Sequence, residues 1–486
     1  MEKNGSVKIF SNMIWRFAER CSSQGVSFIV SIILARLLEP EHYGSIALVT
    51  VLTTFLQVFV DSGFGSALIQ KKGADNTDFS TVFFFNMGIC SALYIGLFFC
   101  APYIASFYNN VELTPVIRVM GLTLIISGVT NIQVSYVSKN LIFKNFFISM
   151  LLGTISSAVI GIVLAYLGYG IWALVAQHIS SSAINMIVLW FTVKWRPSFT
   201  FSISRFKSLF SFGWKILVSQ LLETAYNDIR QLIIGKMYSS SDLSFYNKGK
   251  QLPYMIISNI NTSISSVLLP SMSREQDQKS HVKAMMRRSI KTSVFILAPF
   301  LVGLFSVSKP LISVLYTDKW ISCVPYLRVF CLTYILYPVH TSNLSAIKAM
   351  GRSDLFLRLE IIKKIVGLIL LASTVSFGPL VMAYSLLIST ITSSFINAFP
   401  NKKLLDYSYF EQIKDILPTL ILSALMCAIV FSVQLLNLSN IVTLLIQVPI
   451  GIAVYILGSI IFKMDSFYYV LSILQNMLRK RKSSNH

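Results

Sequence analysis

Charge is scarce in this chain. Of its 486 residues only 13% are Asp, Glu, Lys or Arg, and 54% are hydrophobic, whereas a soluble domain carries about 25% charged residues. That balance argues against a water-soluble globular enzyme. Acid is scarcer still, since 20 Asp and Glu stand against 41 Lys and Arg, a formal net charge of +21. In a soluble protein such an excess points to nucleic acid, but hydrophobic runs fill this chain and a topological cause has first claim. Cysteine is sparse and unpatterned. Cys21, Cys90, Cys100, Cys323, Cys331 and Cys427 form no CxxC pair and nearly all lie in apolar stretches, which supports neither a disulfide framework nor a zinc site. P-loop, HExxH and dinucleotide-binding motifs are absent; Ser62-Gly63-Phe64-Gly65-Ser66 lacks the third glycine of GxGxxG. No metal and no cofactor are expected, and no nucleic acid partner.

The apolar runs are there in quantity. A membrane-spanning helix needs about 20 mostly apolar residues, and runs of that kind predict an all-α polytopic membrane protein with about 14 transmembrane helices. Among them are spans 1 (13–38), 2 (42–68), 7 (208–236), 8 (245–270), 10 (323–346) and 11 (358–377). The longest break, 271–291, leaves no room for a soluble catalytic domain. Lys and Arg alternate with the loops: 29 fall on the side of the N-terminus and two, Lys309 and Lys319, on the other. By the positive-inside rule this predicts an even number of spans with both termini cytoplasmic. Most of the +21 is therefore topology. The first span, carrying Arg16, Glu19 and Arg20 with no small-residue cleavage site after it, reads as a retained helix.

Two halves resemble each other. Pro115 to Thr123, opening span 4, matches Pro325 to Thr333, opening span 10, at five of nine positions, among them Arg118 and Arg328. A weaker match near an offset of 200 pairs Arg36 with Lys236. Six spans between equivalent elements make this a parallel repeat. The predicted organisation is an N-terminal six-helix lobe over 1–200, a C-terminal six-helix lobe over 201–405, and spans 13 and 14 with a basic tail over 406–486. The tail from Phe467, with its run Arg479 to Lys482, reads either as an amphipathic helix on the anionic cytoplasmic leaflet or as a disordered basic segment.

Ionisable groups inside spans cost about 2.5–3.5 kcal/mol each and face a cavity or a partner. At 100° per residue they fall in stripes. Arg16 and Arg20 share a side of span 1; Gln57 and Asp61 lie in a stripe of span 2; Lys215, Glu223, Tyr226 and Arg230 line one of span 7; Lys250, Tyr254, Ser258 and Asn261 line one of span 8. These are the first two helices of each half, the arrangement needed by a central water-accessible cavity. Internal pairing, such as Glu223 with Arg230, is the structural alternative, but Lys215 and Lys250 have no carboxylate at i±3 or i±4. Arg118 and Arg328 fit snorkelling to the interface, and polar packing accounts for His178 and His340.

The segments Ala35-Arg-Leu-Leu-Glu-Pro-Glu-His-Tyr-Gly-Ser-Ile-Ala-Leu48 and Phe59-Val-Asp-Ser-Gly-Phe-Gly-Ser-Ala-Leu-Ile-Gln-Lys-Lys72 resemble the oligosaccharide flippase branch of the multidrug/oligosaccharidyl-lipid/polysaccharide exporter superfamily, of O-antigen and colanic-acid type. The resemblance implies two facing lobes, a basic cavity between them, alternating access and residence in the bacterial inner membrane. It implies a non-enzymatic flippase for an undecaprenyl-diphosphate-linked oligosaccharide, in contact with membrane lipids and polysaccharide assembly proteins. On this reading Arg16, Arg20, Lys215, Arg230 and Lys250 hold the anionic head and Tyr226, Tyr254 and Asn261 meet sugar, while Asp61 and Glu223 bind a coupling proton or sodium ion or pair with the bases. A cation-coupled drug exporter of the same superfamily calls for an acidic cavity, against the excess of bases here. A polymerising membrane enzyme calls for a large outer loop, against the short one around 311–322.

Overall fold

Long apolar runs without an aqueous partner leave the backbone one solution inside lipid, the α-helix, which satisfies its own N–H and C=O groups. The computed structural model describes residues 22–61 and 63–483, and among them every regular element is helical. Two compact units divide the chain between Ser244 and Phe245.

The first unit holds α1 (Ser22–Leu37), α2 (Pro40–Asp61), α3 (Phe64–Gln70), α4 (Asn76–Phe107), α5 (Leu113–Met120), α6 (Leu122–Asn140), α7 (Phe143–Tyr166), α8 (Ile171–Thr192) and α9 (Ile203–Met237). Its core gathers Phe64, Leu68, Phe79, Phe83, Ile132 and Trp195. The indole of Trp195 donates to Asn76 Oδ1 at 2.6 Å, which fixes the chain leaving α8 against the start of α4. Glycines allow close approach here: Gly44 of α2 meets Ser240 just beyond α9, Gly235 of α9 meets Leu48 of α2, and Gly63 before α3 meets Gly213 of α9. A Cβ on Gly44 would lie 1.7 Å from the Ser240 carbonyl oxygen, one on Gly235 would lie 2.2 Å from Leu48 Cδ2, and one on Gly63 would lie 2.9 Å from the Gly213 carbonyl oxygen. α9 thus packs along α2 and stands in the first compact unit, whereas the sequence repeat places it in the second lobe, which begins at 201.

The second unit holds nearly all of α10 (Ser240–Arg274), then α11 (Lys279–Ser306), α12 (Ser308–Tyr316), α13 (Val324–Ile335), α14 (Tyr337–Ala349), α15 (Ser353–Thr374), α16 (Pro379–Leu405), α17 (Tyr409–Ser432), α18 (Asn440–Ile461) and α19 (Asp465–Ser483). Met286, Ile290, Val294, Val339 and Ile416 form one core cluster; Phe295, Leu422, Met426 and Tyr455 form another, tied by a 2.7 Å bond from Tyr455 Oη to the Phe295 carbonyl.

Among the described residues, eleven helical segments are long and apolar enough to cross a membrane. The three other predicted spans are the polar ones or the one described in part. α1 is described from Ser22. α9 carries Lys215, Glu223, Asp228, Arg230 and Lys236, and α15 carries Asp354, Arg358, Glu360, Lys363 and Lys364.

Helix ends recur between the halves. α1 stops at Leu37 and α2 starts at Pro40; α9 stops at Met237 and α10 starts at Ser240. Left-handed residues at Leu141 (φ 55°) and Gly168 (φ 81°) reappear 210 positions later as Gly351 (φ 71°) and Gly378 (φ 105°). Leucine in that region costs about 1–2 kcal/mol through its Cβ, and Leu141 is 41% exposed, so its side chain gives little back. Leu141→Gly is expected to raise the thermal midpoint of the detergent-purified protein, whereas Gly351→Leu is expected to lower it; differential scanning fluorimetry checks both.

Candidate functional site

α9 presents a row of polar groups along one face. Lys215, Glu223 and Asn227 are exposed and Tyr226 is half-buried. Asn227 Nδ2 donates to Glu223 Oε1 at 3.2 Å. Asp228 lies off the row and accepts from Gln231 Nε2 at 2.8 Å. The row ends at Arg230, 4% exposed, whose Nε and Nη2 have no hydrogen-bond partner among the described residues. From Lys215 to Arg230 the helix rises about 22 Å at 1.5 Å per residue. Guanidinium N–H groups buried without a hydrogen-bond partner are costly, and an anion is the kind of group that offsets that cost.

α10 carries a second row, in the other unit. Lys250 Nζ lies 5.7 Å from the Tyr254 ring centroid. Below it a cavity of about 560 Å³ is lined by Tyr254, Ser258, Asn261, Thr262, Ser265 and Tyr337. Hydroxyls and one carboxamide set among two phenol rings and Ile257 make a neutral wall able to hydrogen-bond and stack with sugar. Thr341 Oγ1 donates to Asn261 Oδ1 and fixes that amide.

Of the residues named from the sequence, Tyr254 and Asn261 share this cavity with Lys250 beside it, while Lys215, Glu223, Tyr226 and Arg230 share α9. Arg16 and Arg20 lie outside the described residues, as does the side chain of Asp61. Sequence reasoning missed Tyr337 and Thr341. Their i, i+4 spacing on α14 was a signal, but nothing in the sequence pairs that face with α10.

Other polar groups in the helices are committed elsewhere. Asn343, Asn401 and Gln412, each 0% exposed, form a knot: Asn401 Nδ2 donates to Asn343 Oδ1 at 2.7 Å and Asn343 Nδ2 donates to Gln412 Oε1 at 2.8 Å. His340 Nδ1 accepts from Asn397 Nδ2 at 3.0 Å, in line with polar packing. Gln57, in the stripe of the second span, donates to Ser127 Oγ at 2.6 Å. Arg118 and Arg328 are held locally: Arg118 Nε donates to the Phe98 carbonyl at 3.3 Å, and Arg328 Nε donates to Ser308 Oγ at 2.9 Å, each reaching twenty residues back.

At the end of the first unit that holds the basic loops, Asp78, with its side chain 1% exposed, accepts from Lys71 Nζ at 2.7 Å and lies 3.3 Å from Arg205 Nη1. Arg205 also bonds Asp75, and that guanidinium, helped by the Asp78 backbone N–H, holds the Asp75 carboxyl well below the usual carboxylate range. Asp75 and Asp78 cap α4 reciprocally. Lys71, Asp78 and Arg205 join the α3–α4 turn to the start of α9.

The model of the family described as "Polysaccharide biosynthesis protein" matches residues 33–325. The teichuronic acid biosynthesis protein TuaB of Bacillus subtilis (strain 168) is 26% identical over 386 residues, covering 79% of this chain and 80% of its own. The lipopolysaccharide biosynthesis protein WzxC of Escherichia coli (strain K12) is 20% identical over 416 residues, covering 84% and 82%. Among solved structures, the lipid II flippase MurJ in an inward closed conformation matches with a TM-score of 0.75 at 18% identity, over 93% of this chain and 99% of that one. An inward-facing multidrug resistance MATE family transporter matches with a TM-score of 0.61 at 14% identity, over 79% and 94%. These likenesses give the fold, and the apolar helices make the chain a multi-span membrane protein. With the family model matching more than half of its length, the chain belongs to the polysaccharide biosynthesis protein family.

Proposed function

We propose that this protein is a flippase that carries an undecaprenyl-diphosphate-linked oligosaccharide from the cytoplasmic to the outer leaflet of the bacterial inner membrane, for assembly of a surface or secreted polysaccharide. The observation that carries this reading is Arg230, buried to 4% exposure with two N–H donors open. A diphosphate is the anion such a group fits, through paired charge-assisted hydrogen bonds. Lys215 on α9 adds a base in the first unit, with Arg16 and Arg20 of the first span as further ligands, and Lys250 on α10 adds one in the second. In the second unit the Tyr254, Asn261 and Tyr337 wall receives sugar, and in the first unit Tyr226 offers a further ring for it. Glu223 and Asp61 tune the bases or take a coupling cation. The names of TuaB and WzxC, both polysaccharide biosynthesis proteins, and of the lipid II flippase MurJ support a lipid-linked glycan as cargo.

The fold reading follows suit. α1, α9 and α15 join the eleven apolar segments as spans, giving fourteen, with both termini cytoplasmic. The left-handed joints at Leu141 and Gly168 and their counterparts at Gly351 and Gly378 support a parallel repeat of two six-helix lobes, 1–200 and 201–405, followed by spans 13 and 14 with the tail over 406–486. Alternating access then exposes the basic cavity to each side in turn. The decisive experiment is deletion in the native host: lipid-linked oligosaccharide is expected to accumulate on the cytoplasmic face of the inner membrane while surface or secreted polysaccharide disappears. Unchanged polysaccharide, or loss of the lipid-linked precursor itself, overturns the reading.

A further inference from the structure

In the second unit, a groove of about 750 Å³ runs between α11, α13 and α17, and nearly all of its wall is carbon: Phe305, Leu332, Ile335, Leu420, Ala424 and Phe431. Leu332 and Ile335 follow Arg328 by four and seven residues, so they continue the same face of α13. Along α17 the lining from Leu420 to Phe431 rises about 16 Å at 1.5 Å per residue, close to half of a hydrocarbon core about 30 Å thick. The groove is therefore one leaflet long.

Its Phe431 end carries a charge. The Arg328 guanidinium lies 5.4 Å from the ring centroids of both Phe305 and Phe431, which line the groove. Nε is used by Ser308 Oγ at 2.9 Å, and among the described residues Arg328 forms no ion pair. The equivalent Arg118 differs: its Nε bonds a backbone carbonyl, and its guanidinium lies 4.3 Å from the Phe98 ring. α17, which supplies Phe431, lies outside the repeated lobes. A guanidinium held between two rings without an ion pair among the described residues attracts an anion, and the anion that a membrane offers at the mouth of an apolar groove is a lipid phosphate.

We propose that this groove is a binding site for one anionic glycerophospholipid, its phosphate on Arg328 between Phe305 and Phe431 and one acyl chain along Leu332, Ala424 and Leu420. The site is separate from the polar rows of α9 and α10, and its occupancy is read without any export assay. Native mass spectrometry of the full chain in detergent, titrated with phosphatidylglycerol, phosphatidylethanolamine or undecaprenyl phosphate, tests it. Phosphatidylglycerol is expected to bind most tightly. Arg328→Gln removes a charge-assisted contact and is expected to weaken that binding about tenfold or more, bringing it to the level of phosphatidylethanolamine. Ala424→Phe fills the groove while leaving Arg328 in place, and is expected to weaken both phospholipids. Phosphatidylglycerol binding unchanged in either variant, with wild-type thermal midpoints, overturns the proposal. So does displacement of phosphatidylglycerol by equimolar undecaprenyl phosphate, which would assign the groove to the carrier lipid.

Discussion

Arg230→Ala is expected to reduce polysaccharide export in complemented cells by at least about tenfold, because removing a buried charged contact to an anion costs about 2–5 kcal/mol and each 1.4 kcal/mol is a factor of ten. The same substitution is expected to leave the thermal midpoint of the empty protein unchanged or higher. Arg230 is 4% exposed with two donors unpartnered, and a buried charge without a partner weakens the fold that contains it. Opposite signs for stability and transport separate a ligand-binding arginine from a structural one, whose loss lowers both. Arg230→Lys keeps the charge but not the planar donor pair, and should fall between wild type and Ala. Export in cells and scanning fluorimetry on the purified protein check the two halves of the prediction; full export by Arg230→Ala would remove the basis for placing the diphosphate there.

The second large effect concerns folding. Asn343→Leu is nearly isosteric, yet it is expected to destabilise the second unit by about 2–5 kcal/mol, because each buried polar group left without a partner costs about 1–3 kcal/mol. Asn401 Nδ2 and Gln412 Nε2 both donate to Asn343 Oδ1, at 2.7 and 3.2 Å, and Gln412 Oε1 accepts from Asn343 Nδ2. Water has no easy route to residues that are 0% exposed. Converting all three to Leu removes donors and acceptors together and should recover most of the loss, since an apolar core of the same shape is close to neutral. Thermal midpoints of the single and triple variants in detergent decide the matter; a single variant as stable as wild type would show that the knot carries no such weight.

How far the sequence foretold these groups depends on whether the information was local. Helical spacing put Lys215, Glu223, Tyr226 and Arg230 on one face, since that needs only the helix itself. It could not say that Arg230 is buried and Lys215 exposed, because burial is set by the neighbours of α9. Tyr254 and Asn261 were legible on α10, whereas Tyr337, which lines their cavity, and Thr341, which bonds Asn261, come from a helix some eighty residues on. Asn343 is a polar residue in the apolar span 323–346, yet its partners lie 58 and 69 residues away. Snorkelling was the natural reading of Arg118 and Arg328. The structure adds the ring beside each guanidinium and the acceptor twenty residues back, a hairpin contact that no single-helix argument supplies. α9 and α15 each carry several ionisable side chains, and neither is among the eleven apolar segments.

The joints at Leu141 and Gly168, and again at Gly351 and Gly378, bracket α7 and α15 with the same interval although the residues between them differ. What has been kept is a length. Helices of 24 and 22 residues measure about 36 and 33 Å at 1.5 Å per residue, slightly more than an apolar core of about 30 Å. The interval acts as a ruler cut to the bilayer, so insertions or deletions inside these two helices should be far rarer among descendants of this chain than exchanges of one residue for another.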